Sequence, residues 1–268
     1  MDFCTDCKVG NACDSFANND LNEASGIAPA SVAGAYFVHN DSGDTARFFA
    51  TNCKGDDLGE YNVQGADAVD WEDMARAPCG PKVCLYFGDI GDNLAERPNV
   101  AIYRVYEPPS LSNGKFDVLS EKMTLVYPDG GHDSEALLVH PITGEIALVT
   151  KVNEGVSAVY TTPEAFSAGA TATLVKGPSV SPPDGSARFT GGSVHPEAKG
   201  ILLRTYTNLF FYPMTPDQTL SQALSAAPCI IPAVLELQGE AVTFTLDGSG
   251  YVTVSEQTGQ SLHVYTCD

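Results

Sequence analysis

Short apolar runs broken by polar or Gly/Pro-containing turns fill this chain, and one arrangement of them recurs. Its fullest version lies between Asp70 and Asn93. Glu72 and Asp73 open a short apolar strand, a Gly80-Pro81 turn follows, and a second apolar strand, Val83 to Phe87, ends in Asp89 and Asp92. Four other stretches keep the same order. Glu23-Ala-Ser-Gly-Ile leads to Tyr36-Phe-Val-His-Asn-Asp41, and Glu135-Ala-Leu-Leu-Val leads to Ile146-Ala-Leu-Val-Thr-Lys151. Thr190-Gly-Gly-Ser-Val leads to Ile201-Leu-Leu-Arg-Thr205, and Glu240-Ala-Val-Thr-Phe leads to Tyr251-Val-Thr-Val-Ser-Glu256.

With leading residues Glu23, Glu72, Glu135, Thr190 and Glu240, the units recur roughly every 50–60 residues, close to the period of propeller blades. Third strands rich in aromatic and β-branched residues follow at Arg47-Phe-Phe-Ala50, Ala101 to Tyr106, Ala158-Val-Tyr160, Leu209 to Tyr212 and Leu262 to Tyr265. Fourth strands are expected at Gly59 to Val63, Met123 to Tyr127, Ala172 to Val175 and Ile230 to Leu237, with outer loops at Pro108 to Lys122 and Pro163 to Ala170. The last unit reaches Asp268 before a fourth strand, and the first 22 residues can supply it. A circular array closed in this way has no bare edge. No helical period persists over ten residues, so an α/β fold is disfavoured. The pattern predicts an all-β fold in a single domain over residues 1–268: a five-bladed β-propeller of four-stranded blades, closed by the N-terminal segment, with six blades as the alternative.

Charge narrows the partners. A net charge of −20 opposes nucleic acid, whose phosphates are bound by displacing counterions with Lys and Arg, and it opposes an anionic membrane surface. No apolar run approaches the roughly 18 residues that span a bilayer, so no membrane insertion is expected. A small-molecule or glycan ligand remains. The eight cysteines, an even number in an acidic chain, point to disulfides and an oxidising compartment. Cys4-x-x-Cys7 has no second Cys or His pair to complete a zinc site. Cys79 and Cys84 flank a turn and can face each other, and Cys267 bonded to one of the N-terminal cysteines would fasten the chain ends. The opening Met-Asp-Phe-Cys reads as a mature secreted form with a start methionine added.

In a propeller the leading strands line the central channel, so equivalent residues form a ring. Glu23, Glu72, Glu135 and Glu240 around one axis repel one another unless cations or protons compensate. A hard divalent cation such as calcium suits such oxygen donors. The second strands run back to the same mouth and deliver His39, Asn40, Asp41, Asp89, Asp92, Asn93, Lys151, Arg204 and Glu256. Trp71 and His132 stand beside the acids. Against a functional face stands the reading that the acids cap strand ends. His39 is equally a satisfied loop histidine and Trp71 a core residue, while His140 and His195, each before a proline, read as structural. Asn40-Asp-Ser42 matches a glycan acceptor, but a glycan there would block the mouth and is expected to be absent. Serine-hydrolase elbows, zincin helices and phosphate-binding Gly-Lys-Ser/Thr loops do not occur.

The set Val38-His-Asn-Asp-Ser-Gly-Asp44, Asp70-Trp-Glu-Asp73, Gly88-Asp-Ile-Gly-Asp-Asn93, Glu135-Ala-Leu-Leu-Val-His-Pro141 and Leu203-Arg-Thr-Tyr206 resembles a group of secreted, mostly bacterial β-propellers of uncertain function. That group is distantly similar to esterase-like phytase and calcium-dependent, SMP-30-like lactonase propellers. The resemblance runs from about Glu23 to Glu256 and implies a divalent cation on the axis that activates substrate or water, with Glu23, Glu72, Asp89, Glu135 and Glu240 as the positions to test. The cysteine-rich first 13 residues depart from the group. Two functions follow as expectations. One is a secreted metal-dependent hydrolase of lactone, ester or phosphoester substrates. In it, Asp89 or His39 would act as base, and Lys151 and Arg204 would hold an anionic substrate or oxyanion. The ligand would also meet Asn40, Asp41, Trp71, Asp92, Asn93, His132 and Glu256. The other is a non-catalytic ligand- or carbohydrate-binding propeller with a structural cation.

Overall fold

The computed structural model describes residues 2–153, 156–185, 188–236 and 238–268. Among them, apart from one short helix, the regular elements are strands. The N-terminal β1 (Cys7–Ser15) is followed by a meander of β2 (Ala24–Pro29), β3 (Ala35–Asn40), β4 (Arg47–Asn52) and β5 (Glu60–Gln64). β6 (Trp71–Cys79), β7 (Lys82–Asp89), β8 (Val100–Tyr106) and β9 (Lys115–Val126) form the next. Then come β10 (Ser134–Val139), β11 (Ile146–Thr150), β12 (Ser157–Thr161), the three-residue β13 (Thr171–Thr173) and β14 (Val175–Val180). β15 (Phe189–Val194), β16 (Gly200–Thr205) and β17 (Leu209–Pro213) precede helix α1 (Leu220–Leu224) and β18 (Cys229–Ile231). β19 (Gly239–Phe244), β20 (Gly250–Ser255) and β21 (Ser261–Cys267) end the chain. β1 adds antiparallel to β21, with Cys7 opposite Cys267.

The leading strands β2, β6, β10, β15 and β19 pack side by side in that order, and β19 returns to β2, so they close a ring. Both faces of each are covered, and small residues make this possible: a Cβ on Gly191 would stand 2.6 Å from the carbonyl oxygen of Glu240 on the neighbouring strand. The apolar core is divided among the spaces between adjacent meanders. Phe37, Phe48, Trp71, Phe87 and Tyr103 fill one, and Val149, Phe189, Leu203 and Phe210 another.

The outer strands depart from expectation in three places. Residues 115–122, expected within a loop, belong to β9. Its first half pairs in parallel with β5, Glu60 opposite Lys115 through Gln64 opposite Leu119, and its second half pairs antiparallel with β8. One strand thus covers two edges and merges two meanders into a nine-stranded sheet. Phe116, stacked on Tyr61 at 5.3 Å, supplies the apolar contact that holds the segment down. Of the strand expected over 172–175, Ala172 and Thr173 pair instead with β9, and the third unit's fourth place is taken by β14, which begins at Val175. The strand expected over 230–237 ends at Ile231, where Pro232 has no N–H to continue the ladder; Leu237 lies outside the described residues.

All eight cysteines are paired, as Cys4–Cys229, Cys7–Cys267, Cys13–Cys53 and Cys79–Cys84. The first three tie the N-terminal segment to β18, to β21 and to the turn after β4. Helix α1 carries a capping box from Thr219 and Gln222 and buries Leu220, Ala223 and Leu224. None of the described helices is long and apolar enough to cross a membrane.

Candidate functional site

Each of the five leading strands slips register at the same place, leaving one residue unpaired: Ser25, Glu72, Glu135, Thr190 and Glu240. A β-bulge bends its strand and re-aims the extra side chain, so these five residues are the structural equivalents around the ring. Glu23 therefore does not hold the place expected of it. It lies two residues earlier, exposed, where its carbonyl accepts the Asp41 N–H at 2.8 Å. Ser25 Oγ donates to the Glu72 carbonyl at 2.5 Å, and Thr190 Oγ1 donates to the Gly239 carbonyl at 2.9 Å. Two members of the ring thus stitch neighbouring strands, while three glutamates keep their carboxylates for the axis. Matching Ser25-Gly-Ile to Glu72-Asp-Met and Glu135-Ala-Leu, rather than acid to acid, would have found this register.

One residue further along stand Gly26, Asp73, Ala136, Gly191 and Ala241. Asp73 alone among them has a long polar side chain, and it is fully buried. Its Oδ1 accepts Met74 N–H at 2.8 Å, and its Oδ2 accepts Leu137 N–H at 2.9 Å and Gly192 N–H at 3.0 Å. One carboxyl group therefore spans three strands of the ring. Burial pushes its pKa well above the usual range against the pull of those N–H groups. Beyond it Ile27, Met74, Leu137 and Val242 are enclosed. The acid mouth consequently has a floor.

Above that floor, Asp41, Asp70 and Glu72 each place a carboxylate oxygen within 4.8 Å of the others, and Glu72, Asp133 and Glu135 do the same. Glu72 belongs to both groups. Lys151 Nζ meets Glu135 Oε1 at 2.5 Å and lies over the Tyr206 ring at 5.5 Å. Burial and the Glu135, Asp41 and Asp70 charges push the Glu72 pKa well up. Burial with Asp41 and Asp133 brings Asp70 to about 6, and burial also raises Asp41 and Asp133. Glu135 is raised by burial against the pull of Lys151. Glu240 is raised to about 9 by burial and the Glu135 and Glu256 charges, and its buried Oε2 has no hydrogen-bond partner among the described residues. Glu256, which accepts a hydrogen bond from the Gln238 side chain, is raised to about 7 by burial, Asp41 and Glu23. Asp70, Asp133, Tyr206 and Gln238 escaped sequence reasoning. Asp70 and Asp133 each lie two residues before a ring glutamate, which was the available signal.

Several expected residues lie elsewhere. His39 is wholly buried, edge-on to Trp71 at 5.4 Å, with Nδ1 2.8 Å from its neighbour's carbonyl. Burial lowers its pKa to about 4, and Gly26 is what leaves it room: a Cβ there would stand 2.2 Å from Nε2. Trp71 stacks on Phe87 at 4.8 Å and donates Nε1–H to the Asp67 carbonyl. Asn40 spends its amide on the Asp20 carbonyl and Asp44, and accepts the Asn22 and Glu23 N–H groups. That leaves it no nitrogen for a glycan. Arg204 is buried between β16 and β19, paired with Glu236 and donating to the Ala241 carbonyl at 2.9 Å. His132 sits on the rim with Asp129 and Tyr160 at 2.9 and 2.8 Å, Asn93 is exposed, and Asp89 and Asp92 are engaged behind the mouth. His140 and His195 are buried and bond backbone atoms.

No family model matches the chain, and no curated protein matches it. Among solved structures it is similar to the crystal structure of Chaetomium thermophilum Raptor, with a TM-score of 0.50 and 8% identity over 99% of this chain. The likeness takes in 29% of that protein's chain and concerns the fold alone.

Proposed function

We propose that this chain is a secreted five-bladed β-propeller of four-stranded blades that binds a divalent cation of the calcium class at its axial mouth and hydrolyses a lactone, ester or phosphoester there. The five equivalent bulges and the closed ring of leading strands support the blade count. Four disulfides fit an oxidising, extracellular setting.

The observation that carries the cation is Glu72, shared by both carboxylate triads, with a side chain only 3% exposed. Among the described residues it has no cation within ion-pair distance. Calcium–oxygen bonds of about 2.3–2.6 Å leave ligand oxygens at most about 5 Å apart, which is the spacing found. Glu72 with Asp41 and Asp70, or with Asp133 and Glu135, would hold the ion. All are hard oxygen donors.

When bound, the ion would polarise an ester or phosphoester oxygen. The chain's own part falls to the other side of the mouth. Lys151 and Tyr206 would orient an anionic or polar group. Glu240 and Glu256 would move protons, since carboxyls raised to about 9 and 7 hold a proton near neutrality. They replace His39 and Asp89, which are enclosed. A second reading, a ligand-binding propeller with a structural cation, is favoured by that same enclosure of His39, Asp89 and Arg204.

Elemental analysis of purified protein, followed by a screen of lactones, aryl esters and phosphoesters with and without calcium, separates the two. Bound calcium and a calcium-dependent turnover abolished by Glu240→Gln support the hydrolase. Bound calcium with no turnover supports the binder, and no bound metal contradicts both.

A further inference from the structure

The loop between β7 and β8 touches both carboxylate triads. Asp89 Oδ1 accepts the Asp70 N–H at 3.0 Å, fixing the backbone of one member of the first triad. The Asp92 N–H donates to Asp133 Oδ1 at 2.8 Å, fixing the carboxylate of one member of the second. Between them Gly91 presses against the shared residue: a Cβ there would stand 2.1 Å from Glu72 Oε1 and 2.5 Å from Asp70 Oδ2. Any larger side chain would therefore occupy the space of the ligand oxygens.

What holds this loop is Arg97. Its Nη2 meets Asp89 Oδ1 at 2.9 Å, and its Nη1 donates to the Gly91 carbonyl at 2.7 Å. Its own N–H donates to Asp92 Oδ2 at 2.8 Å, beside the Glu96 N–H on Asp92 Oδ1 at 2.9 Å. The side chain thus grips Asp89 and Gly91, two points from which the loop reaches Asp70 and Glu72, while the backbone N–H holds Asp92. The side chain is 20% exposed, and its partners are Asp89 and the Gly91 carbonyl rather than a triad carboxylate.

We infer that Arg97 is a positioning residue for cation binding, its side chain acting through Asp89 and Gly91 to hold Asp70 and Glu72, the residue both triads share, in register. The inference rests on the cation reading of the mouth. Groups that orient ligands from behind commonly govern metal affinity by about 10–100-fold. A fork that reaches two oxygens at once cannot be copied by lysine.

The test is calorimetric titration of calcium into the disulfide-intact wild type, Arg97→Met, Arg97→Lys and the control Arg104→Met, with melting temperatures in EDTA alongside. Arg104 pairs with Glu121 at 2.5 Å on β8 and β9, away from the triads. The expected result is a loss of calcium affinity of about 10–100-fold in Arg97→Met, a smaller loss in Arg97→Lys, and wild-type affinity in Arg104→Met. Wild-type affinity in both Arg97 variants overturns the inference while leaving the cation site standing. Equal losses in Arg97→Met and Arg104→Met reduce the effect to general destabilisation and overturn it too. If the wild type itself takes up no calcium, the reading of the mouth falls and this inference falls with it.

Discussion

Two groups of buried acids in this protein are treated in opposite ways. Glu236, 5% exposed, is met by the Arg204 guanidinium and by His263 Nδ1 at 3.0 Å. Burial alone would raise its pKa, but the hydrogen bonds and charges of His263 and Arg204 outweigh it and hold the carboxyl below its ordinary range. Glu72 and Glu240 are as buried, yet burial and neighbouring acids raise both, and Lys151, bonded to Glu135, is the internal cation that opposes them. Where an acid serves to join β16 to β19, the chain supplies its countercharge. At the mouth, among the described residues, Lys151 on Glu135 and the more distant Arg97 charge on Asp70 stand against several carboxylates, and the remainder is what an external cation would neutralise.

The largest effect should come from breaking the compensated group. Arg204→Met leaves Glu236 buried with His263 and the Thr253 hydroxyl as its partners, and removing one partner of a buried ion pair costs about 3–5 kcal/mol. A fall of that size in unfolding free energy by denaturant titration is expected, with calcium binding intact. An effect below about 1 kcal/mol, the order expected of a surface pair, would mean that the pairing is not structural.

At the uncompensated group, Glu72→Gln should act the other way. In EDTA the variant should melt at or above the wild-type temperature, because a repelled charge is gone. It should lose the stabilisation that calcium confers, about 2.7 kcal/mol at a hundredfold excess over the dissociation constant. A variant stabilised by calcium as fully as the wild type would remove Glu72 from the site.

A smaller effect distinguishes the two groups by pH. Raised carboxyls favour the folded state below their unfolded pKa and lose that contribution as pH climbs through their folded values, about 6 for Asp70, 7 for Glu256 and 9 for Glu240. Stability in EDTA should therefore decline from about pH 5 to 9, and calcium should reverse the slope because its ligands must be ionised. Glu236 has the opposite sign: its contribution is present above its unfolded pKa and is lost as pH falls through the lowered folded one. Melting curves across that range, with and without calcium, check the first sign, and their extension below pH 4.5, the ordinary value of a glutamate, checks the second.

The repeat of apolar runs made the strands legible, because a strand covered on both faces reads as a short apolar run between turns. The join of β1 to β21 was equally legible in the missing last strand. The register of the ring was not. A bulge is set by backbone geometry, so Glu23 drew attention by its charge while Ser25 held the position. His39 stood beside polar residues in sequence, but its enclosure depends on the space at Gly26 and on Trp71 and Phe87 from the next meander. Residues 115–122 hid because their strand pairs with the edge of another meander, a long-range pairing that leaves only weak alternation behind.

The most direct test is the melting temperature of the wild type in calcium and in EDTA, paired with metal content. The account predicts bound calcium in the purified protein and a loss of about 5–10 °C when it is removed, the shift expected for a contribution near 3 kcal/mol in a chain of this size. Identical melting in the two buffers, with no metal retained, would contradict it.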